Sequence, residues 1–487
     1  MRVFFPVLTV LSVFFANSAP ADSSQSQFYA ICMAGAKTGY AVHTRSVTNG
    51  IVTTTERTQM TIGRAGVSIN VGTVETCIET VRGEPVGFES TRDMGGSRQK
   101  TYGRINKNGK LEITTAASGQ GSTRVTDWPA DTVMAEGFRL IQKKRGLIQG
   151  TSFNAKIFSP ELLSSVDVNV QVGPAVNVDL FGRVVSLVSV RTIMQVAGAT
   201  IISINYVDEK LDAKKIVIPM MGMQVELIAC DKQFALSADD VVDFVARLLV
   251  QSPVPLANVD TADSASYYLK PTDKAVLQIP STDNQAVSST GDGRIIVTVK
   301  PVRVTAGGRF PYRGKNPQAL AALEPAQYLE SNNAAIIALA RQAVGQTKDT
   351  AEAAGRIRSF VTEYITKKDF SVGYATAAEV ATSRQGDCSE HAVLLAAMCR
   401  AVGIPARVVS GLLYVEEFSG RENVFGGHAW VEVYVNDKWV GLDASRADRA
   451  FGPDYITLAT GNGDPAEFFS IISTLGNFTI ENVVVNR

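Results

Sequence analysis

The chain has 487 residues, and its 47 Lys+Arg balance its 47 Asp+Glu, so no net field recruits nucleic acid or an anionic membrane surface. Such a length exceeds what one hydrophobic core usually serves, and two or three domains are expected. Five cysteines in a chain this long are too few for a disulfide scaffold.

Residues 1–21 read as an export signal: Arg2, a mostly apolar run over 3–16, and the small-residue exit Ala19-Pro20-Ala21. The run is shorter than the ~20 apolar residues an uncleaved anchor needs, and no later stretch is long and apolar enough to span a membrane. The expectation is a secreted or periplasmic protein of the cell envelope, with no integral span after cleavage. In that compartment one pair among Cys32, Cys77 and Cys230 is a candidate bridge, and the sequence does not choose between them.

Residues 22–236 show short runs of period-two alternation between turn residues. Val67-Ser68-Ile69-Asn70-Val71 is one, residues 166–172 supply another, and residues 183–188 and 201–206 supply less regular ones. Alternation of this kind marks strands with one wet and one dry face, joined as antiparallel hairpins, so a β-rich N-terminal domain is expected. Its order is similar to the curved sheets of envelope proteins that hold lipids or other apolar ligands. Docking of an envelope partner is the other expected role. His43, in a strand-like run of this region, reads as a surface residue.

Residues 237–325 carry a mixed signal. Residues 239–250 are amphipathic enough for one short helix or a strand, and eight prolines from Pro253 to Pro325 then forbid long helices. Ile295-Ile296-Val297-Thr298-Val299 is a strand. The segment reads as a linker and a small β-subdomain.

Residues 326–487 change to helical texture. Over 334–344, Ile336, Ile337, Ala340 and Val344 share a face; over 350–366, Ala354, Ile357, Val361, Tyr364 and Ile365 do the same. Gly386 then turns into a run of helix formers, Ala392-Val393-Leu394-Leu395-Ala396-Ala397-Met398, which places Cys388 at a helix N-terminus. Free N–H groups and the helix dipole favour a thiolate there, an activated sulfur nucleophile. Gly403 and Pro405 end the helix. Residues 406–415 read as a strand and residues 416–427 as a loop flanking a substrate cleft.

His428 opens the next strand on this reading, with Ala429, Val431, Val433 and Val435 facing a core and His428, Trp430, Glu432 and Tyr434 facing away. A two-residue turn at Asn436-Asp437 makes paired positions sum to 873, so Asp443 falls opposite Trp430 and on the His428 face, within reach of a His–Asp hydrogen bond. A three-residue turn puts it on the wrong face.

Gly386-x-Cys388, the helix ending in Gly403-Ile404-Pro405-Ala406-Arg407, Gly427-His428-Ala429-Trp430 and Leu442-Asp443 together resemble the transglutaminase-like core, a papain-related cysteine fold, over roughly residues 326–460. The resemblance implies an α+β fold class: an antiparallel β-rich domain followed by a transglutaminase-like (papain-like) α+β catalytic domain over 326–487. It implies that Cys388 attacks an acyl carbon, His428 takes and returns the proton, and Asp443 orients the imidazole, with the Cys388 N–H as part of an oxyanion hole. Animal transglutaminases add a tryptophan donor upstream of the cysteine, and the only upstream tryptophan here is Trp128, in another domain. Gln385 and Tyr374 are the remaining candidates for a second donor.

His391, three residues after Cys388, is a rival base. Cys399 lies eleven residues along the helix and reads as core. Without a CxxC pair, Cys388, His391 and His428 do not read as a zinc site, and no metal or cofactor is expected. The expected function is an exported cysteine acyl-transfer enzyme acting on amide bonds of peptide or protein substrates, by hydrolysis rather than cross-linking. The alternative is a non-catalytic envelope protein using the same core as a peptide-binding or assembly scaffold.

Overall fold

The structure is a computed structural model. It describes residues 24–487 except 96, 118–119, 197–198, 221–222, 273–276, 305, 373–374, 447 and 463–473. The expected export signal and Tyr374 therefore lie outside the described residues. The chain divides into two compact units, the first comprising residues up to 63 and 68–242, the second Arg64–Val67 and Asp243–Arg487.

The first unit is a long, almost wholly antiparallel meander. Its first strands are β1 (Ser24–Met33), β2 (Ala36–Thr48), β3 (Ile51–Arg64), β4 (Val67–Thr80), β5 (Pro85–Met94), β6 (Arg98–Ile105), β7 (Lys110–Ala117) and β8 (Gln120–Asp127). After them come β9 (Thr132–Val133), β10 (Ser152–Ser159), β11 (Ser164–Leu180), β12 (Arg183–Val196), β13 (Ala199–Val207), β14 (Ala213–Met220) and β15 (Met223–Cys230). Each strand pairs with its sequence neighbour, except that β8 and β9 end the sheet at opposite edges and β1 joins β15 in its middle. Strand β3 shows why these residues choose the conformation. Val52, Thr54, Glu56, Thr58, Met60 and Ile62 are all buried while the residues between them are not, a strict period of two carried largely by β-branched side chains.

The inward face is polar to an unusual degree. His43 is buried there, against the surface position expected from its sequence, because its register partner across β2 and β3 is Glu56, whose Oε2 lies 2.9 Å from His43 Nδ1. Burial lowers the imidazole to about 3. Helix α1 (Ala135–Arg145), not anticipated inside the β-rich region, starts on a carboxylate: Glu79 accepts from the N–H groups of Glu136 at 2.6 Å and Gly137 at 2.9 Å. A carboxyl group accepting at the positive end of the helix, although burial raises it to about 7, replaces a local N-cap. A single turn, α2 (Lys232–Ala235), follows β15 and is capped by Asp231, which accepts from Phe234 N at 2.8 Å.

Cys32, Cys77 and Cys230 are all free, so none of the candidate bridges forms. Cys32 faces Glu226 and Cys230 faces Phe28 across the β1–β15 pair. That offset of four positions is about 13 Å along a strand, beyond disulfide reach.

In the second unit the short elements α3 (Phe244–Arg247) and β17 (Val250–Gln251) replace the single helix or strand expected over 239–250, a two-residue strand β16 (Val242–Asp243) preceding them. Strands β18 (Ser264–Pro271), β19 (Gln285–Ser289) and β20 (Ile295–Val299) form a four-stranded sheet with the C-terminal β25 (Phe478–Asn486). Strands β21 (Ala406–Phe418), β22 (Arg421–Val435), β23 (Lys438–Leu442) and β24 (Tyr455–Gly461) build the other sheet together with β17, and β22 pairs with β17, β21 and β23. After the short α4 (Pro317–Ala321), helices α5 (Ala334–Val344), α6 (Thr350–Tyr364) and α7 (Ala377–Ser383) surround α8 (Cys388–Ala401), whose residues from Glu390 to Arg400 are all buried. One apolar cluster joins Ile336, Ile357 and Val380 to Val393, Leu394 and Met398 of α8 and to Val431 and Val433 of β22. Each such side chain contributes about 1.5–3 kcal/mol when fully buried, which makes α8 the axis of the unit.

The expected loop over 416–427 is not one. Strands β21 and β22 run on to Phe418 and from Arg421, paired as far as Phe418 with Arg421, so His428 sits inside a strand rather than at its start. Cross-strand pairs of apolar residues, Tyr414 with Phe425 and Val415 with Val424, carry the hairpin beyond the point where its charged residues suggested a stop.

Candidate active site

Asp387 caps helix α8. Its Oδ1 accepts from Ser389 N at 2.8 Å, and Glu390 returns the bond to Asp387 N at 3.0 Å, a complete capping box. Gly386 is required at this turn: its φ is +149°, and a Cβ there would lie 2.2 Å from Glu390 Cβ. At the other end Gly403 N bonds Arg400 O at 2.9 Å and Ile404 N bonds Cys399 O at 2.9 Å, a Schellman closure. The outcome is a rigid helix whose first residue, Cys388, is half-buried among the surrounding apolar groups.

Asp387 is also held from outside the helix. Arg64, which clusters with this unit, places Nη2 2.5 Å from Asp387 Oδ2 and Nη1 within 3.0 Å of the Phe370 carbonyl. Burial works against the ionised Asp387, but the Arg64 charge and the backbone bonds outweigh it and keep the carboxyl below its usual range.

Across the sheet, β22 and β23 pair Val435 with Lys438 and Val431 with Leu442, the register of a two-residue turn at Asn436-Asp437. Both turn residues have positive φ, 50° and 60°, the conformation that matches strand twist in tight hairpins. Asp443 follows β23 directly, and its Oδ2 lies 2.7 Å from His428 Nε2. The same oxygen accepts from Tyr455 Oη at 2.9 Å, while Oδ1 accepts from Ser445 N at 2.8 Å and Ser445 Oγ at 2.7 Å. Arg358 Nε donates to the Asp443 carbonyl at 2.8 Å. With so many donors, and although burial opposes it, the carboxyl stays far below its usual range beside the His428 charge.

With Nε2 on Asp443, the His428 ring also lies close enough to Cys388 for the thiol to act on it. Burial alone would depress the imidazole. The Asp443 charge first, with the neighbouring Cys388 and the Asp443 hydrogen bond, overcomes this and raises it to about 10. Trp430 stacks on the ring at a centroid distance of 6.3 Å and an interplanar angle of 22°, and Tyr455 closes the wall behind Trp430 at 5.2 Å.

The structure thus brings Cys388, His428 and Asp443 together. His391 is buried and bonded to the Asp387 carbonyl, with burial lowering its pKa, which is not the position of a base for the thiol. Gln385 donates to Asp369 and Ser371, so its amide is already engaged. Trp128 lies in the first unit and packs on Phe158. Cys399 is fully buried and its thiol is pushed up to about 12. Among the described residues no cluster of three or more His, Cys, Asp or Glu side chains could hold a metal ion, and no helix is long and apolar enough to cross a membrane. Sequence reasoning missed Arg64, Arg358, Ser445 and Tyr455. Ser445 alone left a local signal, an Asp-x-Ser turn two residues past the acid.

Residues 337–444 match the transglutaminase-like superfamily. The transglutaminase-like segment therefore contains α5 from its fourth residue on and runs through Cys388 and His428 to just past Asp443. No curated protein matches the chain. Among solved structures it is similar to a candidate cysteine protease from Cytophaga hutchinsonii, at 19% identity and TM-score 0.30, covering 46% of this chain and 88% of that one. It is also similar to a beta-barrel-like protein of a domain of unknown function from Brucella abortus, at 11% identity and TM-score 0.31, covering 44% of this chain and 98% of that one. A third likeness is to a candidate protease from Parabacteroides distasonis, at 11% identity and TM-score 0.19, covering 72% of this chain and 64% of that one.

Proposed function

We propose that the protein is an exported cysteine enzyme that cleaves amide bonds of peptides or proteins through a thioester on Cys388. The observation that carries this reading is the position of His428, bonded to Asp443 at 2.7 Å and set against Cys388. Its raised pKa keeps the ring protonated, a ready acid for the leaving amine. The Cys388 thiolate attacks the acyl carbon, His428 gives its proton to the departing nitrogen as the C–N bond breaks, and a thioester remains. The now neutral His428 takes a proton from water, whose oxygen displaces the sulfur and releases the acid. An amine entering in place of water gives cross-linking. Water needs no binding site of its own, and hydrolysis is the outcome proposed.

For the first unit we propose docking of an envelope partner. Its inward face carries His43, Glu56, Glu75 and Arg92, and the apolar cavity beneath α1, lined by Phe153, Val170, Val172, Val190 and Val207, has only about 10 Å³, too little for a lipid.

Casein digested with wild type and with Cys388→Ala, the products read by mass spectrometry, tests the reading together with iodoacetamide labelling at pH 6. New peptide ends made only by wild type, with Cys388 labelling slowed by His428→Ala, support it. No cleavage and labelling indifferent to His428→Ala would leave the fold as a binding scaffold.

A further inference from the structure

The Asp387 carbonyl oxygen accepts twice from one residue: His391 N lies 3.1 Å away and His391 Nδ1 2.7 Å away. The first bond is the ordinary opening bond of helix α8, and the second is a side-chain addition that occupies the remaining lone pair. A carbonyl can only accept, so the ring proton sits on Nδ1. The other nitrogen, Nε2, is buried with no hydrogen-bond partner, and His391 as a whole is 2% exposed. The polar function of this ring in the folded protein is therefore its one bond to Asp387.

That bond acts on a particular peptide group. The Asp387 carbonyl belongs to the same amide as the Cys388 N–H, and no described residue accepts from that N–H. Drawing density onto the oxygen of an amide makes its N–H a stronger donor, and two bonds to one oxygen hold the amide plane against rotation. The N–H so aimed and polarised projects from the start of α8, beside the sulfur that becomes bonded to the acyl carbon.

We infer that His391 is a positioning residue for the acyl oxyanion: by saturating the Asp387 carbonyl it orients and strengthens the Cys388 N–H as its donor. The inference rests on the acyl-transfer reading above. It assigns His391 no proton transfer, in contrast to the rival-base role its spacing from Cys388 suggests.

Two reagents and three variants test it on the full-length protein. Acylation by p-nitrophenyl acetate passes through an oxyanion: Cys388 sulfur bonds the acetyl carbon, the ester C–O bond breaks, and p-nitrophenolate leaves. Alkylation by iodoacetamide forms a C–S bond and expels iodide without any oxyanion. His391→Asn keeps an N–H donor at the place of Nδ1; His391→Gln offers one only near Nε2; His391→Leu offers neither. The expected result is acylation within threefold of wild type for Asn and slower by about tenfold for Gln and Leu, with alkylation of Cys388 at pH 6 within twofold of wild type in all three. Rescue by Gln rather than Asn, acylation unchanged in all three, or alkylation falling in step with acylation would each overturn it, the last because the side chain would then be serving the thiol or the fold. Failure of the parent reading shows separately, as wild type and Cys388→Ala releasing p-nitrophenolate equally, and takes this inference with it.

Discussion

His428 Nε2 and Asp443 Oδ2 lie 2.7 Å apart although fifteen residues separate them, because the two-residue turn Asn436-Asp437 returns β23 in the register that puts both on one face. An asparagine side chain in place of Asp443 keeps the shape and removes the charge. Asp443→Asn is expected to lower kcat by about 10²–10⁴ with little change in KM, as for an amide that holds the ring in the wrong tautomer. Steady-state kinetics on any peptide substrate found for wild type checks this, and a loss below threefold would contradict the role.

The same pair makes a pH prediction. His428 is raised from an ordinary value near ~6.5 to about 10, so its charged form stabilises the fold fully below about pH 6.5, and that contribution drains away as pH climbs toward about 10. The melting temperature of wild type is expected to fall between pH 7 and 10 by more than that of Asp443→Asn. Thermal unfolding across that window compares the two, and parallel profiles would count against the coupling.

Tyr455 donates its hydroxyl to Asp443 at 2.9 Å from a buried position. Tyr455→Phe removes one of several bonds to the carboxylate and little volume, so a stability loss of about 1–2 kcal/mol is expected. The remaining donors keep Asp443 ionised, and the pH profile of turnover should keep its shape while its height falls. Denaturant unfolding and the profile are the measurements.

Arg64 and Asp387 are both buried and pair at 2.5 Å within the second unit. Arg64→Ala leaves a buried carboxylate uncompensated and is expected to cost about 3–5 kcal/mol. Asp387→Asn in the same background should return part of that loss, since the amide carries no charge to strand. Urea unfolding of the single and double variants decides it, and simple additivity would contradict the pairing.

Gly386→Ala places a methyl 2.2 Å from Glu390 Cβ at a φ of +149°. The turn must shift, carrying Asp387 and Cys388 with it. Iodoacetamide labelling of Cys388 at pH 6 is expected to slow by tenfold or more while the far-ultraviolet spectrum of the β-rich unit is unchanged; labelling at the wild-type rate would show that the turn tolerates a side chain.

Much of the site was legible in the chain because its geometry is local. Gly386 before a run of helix formers specifies where α8 begins, and period-two alternation with a two-residue turn specifies which face His428 and Asp443 share, since each depends on backbone preference over a few residues. What only the tertiary structure decided are relations between distant segments. Arg64 reaches Asp387 across 323 positions of sequence, and Tyr455 and Arg358 converge on Asp443 from separate elements. His43 reads as an ordinary polar strand residue until its cross-strand neighbour proves to be Glu56 on an inward face, and Glu79 gives no sign that it starts a helix more than fifty residues away. Pairing of this kind is set by which surfaces pack together, and no local preference of a residue encodes the charge it will meet there.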